Sequence, residues 1–309
     1  MYLRGIMSVM CKKTEIHDLI DLENPAVKAV LPMLLSDKTT KENLLWATES
    51  YPDHDAKSRI QLADVNLIQP RVQKASADQA GRTKAQGEVF TPSWICNRMN
   101  NHLDEEWFGR QNVFNMENGT GWTPVEDSIV FPEGKTWKDY VLSRRIEITC
   151  GEAPFVVSRY DAATGDLIPV GCRIGMLDRK LRIVDENAGS DEEWLEWTMK
   201  AYQSTYGYEF QGDNLFVARV NLLMTFLDHC EGRFPGNPPM EAVRKIANII
   251  AWNFWQMDGL TGTIPFTGEE SEQMDLFAFG TEPEAIPCKI WDWRGGNAIT
   301  YNSIRRNKE

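Results

Sequence analysis

The fold of this chain is constrained most by three short apolar runs in its sequence. Each run is closed by an acid or a glycine, and helical patterns separate the runs. They predict strands over 145–150, 206–210 and 249–257, the first as a buried strand that stops at a glycine turn. Amphipathic spacing predicts helices over 192–202 and 214–229. Strands that alternate with helices favour a parallel sheet, so we expect an α/β fold. A ligand of such a sheet binds at the carboxyl ends of its strands.

Other elements follow from the same spacing rules. Two short helices are predicted over 16–35, broken near Asn24-Pro25. The remaining predictions are a helix over 93–103 started by Thr91-Pro92-Ser93, turns with a hairpin over 109–134, a helix over 137–143, and two strands over 286–293 and 298–304.

Composition excludes several classes of protein. The 309 residues are 42% apolar and 25% charged, which is typical of a globular protein. There is no run of about 18 apolar residues and no secretory signal, so we expect a cytoplasmic protein. The six cysteines are far apart and form no Cys-x-x-Cys pair, so reduced thiols and no metal site are expected. With a net charge of -12, any contact with DNA requires a local basic patch.

The ends of the predicted strands carry the groups that a nucleoside ligand needs. Cys150-Gly151 supplies a tight turn that lets the backbone approach the ligand. Glu209 closes the second strand and can accept hydrogen bonds from both ribose hydroxyls, and Asp258 closes the third and can accept one from the adenine amino group. Each motif alone is common in α/β proteins. Their order along the chain indicates nucleoside binding.

Together these motifs resemble the gamma-class adenine-specific DNA methyltransferases of bacterial restriction-modification systems. The segment Gly87 to Pro92 is similar to the Thr-Pro segment that precedes the first strand in that family. The segment Glu147 to Ala153 keeps the acid and the Cys-Gly of the family's glycine-turn motif but lacks its second glycine. Glu209 and Asp258 match the ribose carboxylate and the adenine-contacting acid. The likeness covers about 87–260.

This resemblance implies a Rossmann-like class I methyltransferase sheet, S-adenosylmethionine as cofactor and DNA as partner. The cofactor-binding residues that it implies are Phe90, Thr91, Pro92, Glu147, Cys150, Gly151, Glu209 and Asp258. Glu147 would pair with the methionine ammonium. Glu152 stands where the family has a small residue, so it would crowd the pocket or contact that ammonium instead.

The family's catalytic Asn-Pro-Pro-aromatic segment is missing from its expected place. Asn237-Pro238-Pro239-Met240 precedes Asp258, follows a polar turn and lacks the aromatic residue, so it is predicted as a loop that starts a helix. About fifty residues follow Asp258, too few for four further strands. We therefore expect an incomplete sheet in a domain over 87–309, after a helical and irregular region over 1–86. A partner subunit would supply the catalytic segment, and no catalytic residue is assigned in this chain.

Two other functions stay open. A degenerate methyltransferase fold would recognise DNA or scaffold a restriction complex without catalysis. A metal-dependent nuclease is suggested by the Asp-x-Lys spacing of Asp55-Ala56-Lys57 and Asp178-Arg179-Lys180, although the basic run around Arg179 is more typical of a helix surface or a phosphate contact. The polar stretch 56–87 is predicted as a solvated linker, with a DNA-facing arm as the alternative.

Overall fold

The computed structural model describes residues 19–51, 53–74, 91–231, 233–234, 238–268 and 284–306. Phe90, Asn237 and the predicted boundary at residue 86 lie outside these described residues.

The described residues form helices and short strands, numbered here in chain order. The helices are α1 Pro25–Lys28, α2 Leu31–Leu35, α3 Ser93–Phe108, α4 Trp137–Leu142, α5 Met176–Asn187, α6 Asp191–Gln203, α7 Gly212–Glu231, α8 Met240–Asn253 and α9 Tyr301–Arg306. The strands are β1 Asn115–Asn118, β2 Gly121–Pro124, β3 Arg145–Ile148, β4 Thr205–Glu209, β5 Phe254–Gln256, β6 Lys289–Asp292 and β7 Asn297–Thr300. Three 3-10 turns span Leu62–Leu67, Arg71–Gln73 and Val170–Cys172.

The central sheet is parallel, with the order β3-β4-β5. Helices α5 and α6 connect β3 to β4, and helices α7 and α8 connect β4 to β5. The predicted α/β class with a parallel sheet is therefore confirmed. Among the described residues, the antiparallel hairpins β1-β2 and β6-β7 lie outside this sheet, at the two places where the sequence predicts them. The strand predicted over 298–304 is wrong for its second half, because β7 ends at Thr300 and residues 301–304 belong to α9.

Both faces of the sheet are packed. Helices α6, α7 and α8 contact β4 from one side and share the larger apolar core with the N-terminal residues. A smaller apolar cluster around Tyr208, Trp255 and Ile290 covers the other face. Within the described parts of the chain, no helix has the length and apolarity that crossing a bilayer requires.

The prediction of a buried first strand is wrong. Among the described residues β3 pairs only with β4, so it is an edge strand. Ile146 and Ile148 are 47% and 63% exposed. A short apolar run predicts an extended backbone, but its position in the sheet depends on which other strands pair with it.

The third predicted strand is mostly helix. Residues 249–253 belong to α8, and only Phe254–Gln256 pairs with β4. The apolar residues Val243, Ile246 and Ile250 of α8 recur at helical spacing and are fully buried. A continuous apolar run fits either a buried strand or the end of a buried helix, and here the helical spacing upstream extends through most of it.

The described part of the N-terminal region contains the short helices α1 and α2, which are separated at residues 29–30. The predicted break near Asn24-Pro25 falls in the non-helical stretch 20–24 that precedes α1, and residues 16–18 lie outside the described residues. Pro25 begins α1 because proline is favoured at the first position of a helix. Asn24 caps this helix, its side-chain oxygen accepting the N–H of Ala26 at 2.9 Å. The solvated linker is wrong for residues 56–74, because Ile60, Val65 and Ile68 of this stretch are buried.

The basic run on α5 lies inside the protein, so the predicted helix surface or phosphate contact is wrong. Arg179 and Lys180 are 2% and 0% exposed. Lys180 Nζ donates to the carbonyl of Ser143 at 2.6 Å and to the hydroxyl of Ser204 at 2.7 Å. These residues precede β3 and β4, so Lys180 ties the amino ends of the two strands together. Burial lowers the pKa of Lys180 well below its usual value.

Gly212 is the first residue of α7, and the backbone of Leu45 from the N-terminal region lies directly against it. A Cβ atom at this position would lie 1.9 Å from the backbone oxygen of Leu45. We expect Gly212→Ala to lower the free energy of unfolding by about 1–3 kcal/mol, because one backbone must shift. Gly171→Ala is the matched control, since nothing lies within 4 Å of the added atom. Equal urea midpoints for the two variants would contradict this close packing.

Candidate functional site

A cavity of about 1020 Å³ opens beside β3 at the carboxyl end of the parallel sheet. Its volume is at the upper end of the range for ligand pockets, about 300–1,000 Å³. Every residue from 146 to 151 lines it. Because successive side chains of a strand point to opposite faces, a cavity that touches all of them lies along the free edge and the end of that strand.

The structure brings together most of the predicted cofactor residues. Those that line the cavity are Thr91, Glu147, Cys150, Gly151 and Glu209. Pro92 stands at the start of α3 as its N-cap and is not among the lining residues. Phe90 lies outside the described residues.

Asp258 is not brought to this cavity. Its carboxylate accepts the N–H of Leu260 at 2.8 Å, and its backbone pairs with Thr263. The chain therefore turns back immediately after β5, and the carboxylate stabilises that turn. Sequence order places Asp258 after a strand, but the turn decides where the carboxylate points.

Glu209 ends β4 and is held by backbone amides. Its Oε2 accepts the N–H of Gly151 at 2.8 Å, and its Oε1 accepts the N–H of Gln211 at 3.1 Å. Burial raises the pKa of Glu209, and these amides oppose the rise. The carboxylate thus fixes the turn after β3 against the end of β4.

The turn after β3 has an unusual backbone. Thr149 and Gly151 both have positive φ angles, 49° and 53°. The left-handed region is natural for glycine but costs energy for a β-branched residue such as threonine. Strained residues of this kind occur at functional sites, and in this turn the N–H of Gly151 donates to Glu209.

Glu147 also lines the cavity, and one of its oxygens has no partner. Its Oε2 is buried and forms no hydrogen bond with any described residue. Burial raises the pKa of Glu147 well above its usual value, the charge of Glu209 raises it further, and the N–H of Phe155 opposes the rise. The side chain of Glu147 as a whole is half-buried, and the described residues give its buried oxygen neither a hydrogen bond nor a countercharge.

Glu152 neither crowds the cavity nor faces it, so that expectation is wrong. The residue is 2% exposed and is not among the lining residues. Its Oε2 accepts the hydroxyl of Tyr160 at 2.7 Å, and its Oε1 accepts the backbone N–H of Arg71. A buried hydrogen-bond network takes up this carboxylate and stabilises the loop behind the cavity.

Sequence reasoning missed two further walls of the cavity. One is formed by Gln211 and Asn214, which follow Glu209 and are joined by a hydrogen bond of 3.0 Å. The cluster of polar residues just after a strand-ending acid was the available signal. The other wall comes from α3, through residues that include Arg98, Met99 and His102. Nothing in the sequence indicates that this face of α3 turns toward β3.

The nuclease alternative gains no support from the described residues. Among them, no group of three or more His, Cys, Asp or Glu side chains is arranged to hold a metal. Asp178 accepts hydrogen bonds from the backbone and the hydroxyl of Ser158 at 2.8 and 2.9 Å. Asp55 accepts the N–H of Lys57 at 2.9 Å. Neither Asp-x-Lys triplet lines the large cavity.

Comparison of the chain with protein-family models, with curated proteins and with solved structures finds no match. The function is therefore inferred from the residues of the cavity.

Proposed function

We propose that this protein binds S-adenosylmethionine in the cavity beside β3, as the cofactor-binding part of a DNA adenine methyltransferase with a Rossmann-like class I sheet. One observation carries the proposal. Glu147, the Gly151 turn and Glu209 meet in one cavity at the carboxyl ends of two neighbouring parallel strands. This is the place where open α/β sheets bind nucleotides and related ligands.

The residues present fit such a cofactor. Each oxygen of the Glu209 carboxylate holds one backbone N–H and keeps a further lone pair that can accept a ribose hydroxyl. The Gly151 turn brings the backbone close to the ligand without a side chain. Glu147 offers the unpartnered oxygen to a positively charged group.

The lining also includes residues that suit an adenine ring. Ala47 and Phe210 supply apolar surface, and Gln211 and Asn214 supply amide groups. We assign to these amides the contact with the adenine amino group that the resemblance gives to Asp258. The assignment follows from the turn that engages the Asp258 carboxylate with Leu260.

When bound, S-adenosylmethionine supplies an activated methyl group, and the residues of this chain hold and orient it. A partner subunit would supply the catalytic segment. The prediction that Pro238-Pro239 leads into a helix is confirmed, because Pro239 is the N-cap of α8. Because the Pro-Pro segment starts a helix and is not a catalytic loop, a second candidate function is favoured as well. This is a methyltransferase-like protein that recognises DNA or scaffolds a complex without catalysis.

Titration calorimetry with S-adenosylmethionine tests the binding proposal. We expect Glu209→Gln to weaken binding by about 1.5–3 kcal/mol, roughly 10- to 100-fold, because a hydrogen bond to a charged acceptor is lost. Asp258→Asn is the matched control, since asparagine keeps the side-chain oxygen that accepts the N–H of Leu260. Thermal unfolding of both variants verifies that they are folded.

Two results would overturn the proposal: no binding by the wild-type protein, or unchanged binding by Glu209→Gln. If Asp258→Asn loses as much affinity for S-adenosylmethionine as Glu209→Gln does, the adenine contact would be assigned to Asp258. Methyl transfer to DNA, measured with the chain alone and with the product of the neighbouring gene, then separates the enzyme from the scaffold. Transfer by the chain alone would contradict the need for a partner, and no transfer in any combination would favour the scaffold.

A further inference from the structure

The carboxyl group of Glu147 lacks the partner that its charged form requires. Its Oε2 is buried and receives no hydrogen bond from the described residues, and only the N–H of Phe155 lowers the pKa of the group. Buried polar atoms almost always have partners. An unpaired charge in the interior is costly, so such a group either takes up a proton or pairs with a cation.

Among the described residues, the groups that act electrostatically on Glu147 come from three elements, and none of these groups is a cation. Glu209 faces it from β4, Cys150 from the turn after β3, and Cys96 from α3. Burial raises the pKa of both thiols, and the charge of Glu147 raises them further. The thiols are therefore neutral, and Glu209 opposes a second negative charge beside it.

The basic side chains of α3 that line the same cavity are engaged elsewhere. Arg98 is exposed, and its Nε lies 3.2 Å from a carboxylate oxygen of Glu117. His102 is also exposed, and its Nε2 lies 3.6 Å from a carboxylate oxygen of Glu106. Neither residue is among the groups that shift the pKa of Glu147. The described residues therefore place no cation beside Glu147, and we consider a positively charged group of a ligand as its partner.

We propose that Glu147 determines the charge specificity of the cavity: it is protonated while the cavity is empty, and a positively charged group of the ligand displaces that proton. The O–H bond breaks, the carboxylate keeps the electron pair, and the proton passes to solvent. The identity of the ligand rests on the proposed function, because S-adenosylmethionine carries an ammonium and a sulfonium group. The raised pKa of Glu147 agrees with the protonated state.

Calorimetry in two buffers with different ionisation enthalpies counts the protons released on binding. The probes are S-adenosylmethionine and 5′-methylthioadenosine, a nucleoside thioether without the cationic groups. We expect release of about one proton when the wild-type protein binds S-adenosylmethionine, and none with Glu147→Gln or with the uncharged probe. The preference for the cationic probe should fall about tenfold in Glu147→Gln. Equal proton release by the two proteins would overturn the proposal.

The stability of the empty protein tests the protonated state without any ligand. In the unfolded chain a glutamate ionises near about pH 4.3. A group whose pKa is raised on folding loses its proton first in the unfolded state, so stability falls as pH rises above that value. The melting temperature of Glu147→Gln should therefore exceed that of the wild type by a margin that grows with pH. Glu209 remains in both proteins, so its effect cancels in this difference.

Glu117→Gln is the control, because this carboxylate is on the surface beside Arg98. The difference in melting temperature between Glu117→Gln and the wild type should not grow with pH. A margin for Glu147→Gln that stays constant with pH would overturn the inference by itself. Failure of S-adenosylmethionine to bind the wild-type protein would overturn the proposed function, and the growing margin would still show a protonated Glu147.

Discussion

Replacing Arg219 with methionine is expected to lower the free energy of unfolding by about 4 kcal/mol or more. This side chain on α7 is fully buried. Its Nη1 donates to the carbonyls of Leu34 and Ser36 at 2.7 and 2.9 Å. Its Nε and Nη2 donate to the carbonyl of Phe254 at 2.8 and 2.6 Å, and Nη2 also donates to that of Ala251 at 3.2 Å.

The size of the effect follows from the four carbonyls that the guanidinium satisfies. Each buried carbonyl left without a donor costs about 1–3 kcal/mol. Burial lowers the pKa of Arg219 to about 10, and Asp37 opposes this shift. The side chain therefore stays charged at neutral pH and donates all its bonds.

Urea unfolding followed by circular dichroism measures the effect. Arg244→Met is the matched control, because Arg244 is an exposed residue of α8, and we expect it to change stability by no more than about 0.5 kcal/mol. Arg219→Lys should be intermediate, because an ammonium keeps the charge but cannot reach carbonyls on opposite sides. A loss below about 1 kcal/mol in Arg219→Met would contradict the role of Arg219 in joining the N-terminal helices to β5.

The second large effect is expected at Arg179, with a loss of about 3–5 kcal/mol in Arg179→Met. Arg179 on α5 forms a buried ion pair with Asp104 on α3. Its Nη2 also donates to the side-chain oxygens of Asn97 and Asn101, both at 2.8 Å. Without Arg179 the Asp104 carboxylate keeps the hydroxyl of Tyr140 at 2.7 Å but loses its main countercharge.

The comparison with an exposed pair separates burial from charge. Arg98 lies on α3, as Asp104 does, and pairs with Glu117 at the surface. We expect Arg98→Met to lower the free energy of unfolding by about 0–1 kcal/mol. The double variant Arg179→Met with Asp104→Leu should lose less than Arg179→Met alone, because it removes the buried carboxylate that Arg179→Met leaves without its main countercharge. Equal losses for Arg179→Met and Arg98→Met in chemical denaturation would show that the pair does not hold α3 against α5.

The sequence predicted part of the candidate site. Gly151 and Glu209 were found because each stands at the end of a parallel strand, and parallel strands end at one edge of a sheet. Glu147 was found only through the resemblance to the methyltransferase motif, in which an acid precedes the glycine turn. Asp258 satisfied the same rule, yet its carboxylate is engaged by a turn. Gln211 and Asn214 were missed because they lie beyond the strand, where no periodic pattern exists.

By itself the sequence determined most of the longer helices and the places of the two hairpins, because these depend on spacings within a few neighbouring residues. The alternation of strands with helices indicated the parallel sheet. Only the tertiary structure decided that β3 is an edge strand with a cavity beside it. It also decided that Arg179, Lys180 and Arg219 are buried. A basic residue looks the same in the sequence whether water or backbone carbonyls surround it, and distant segments supply those carbonyls only after the chain has folded.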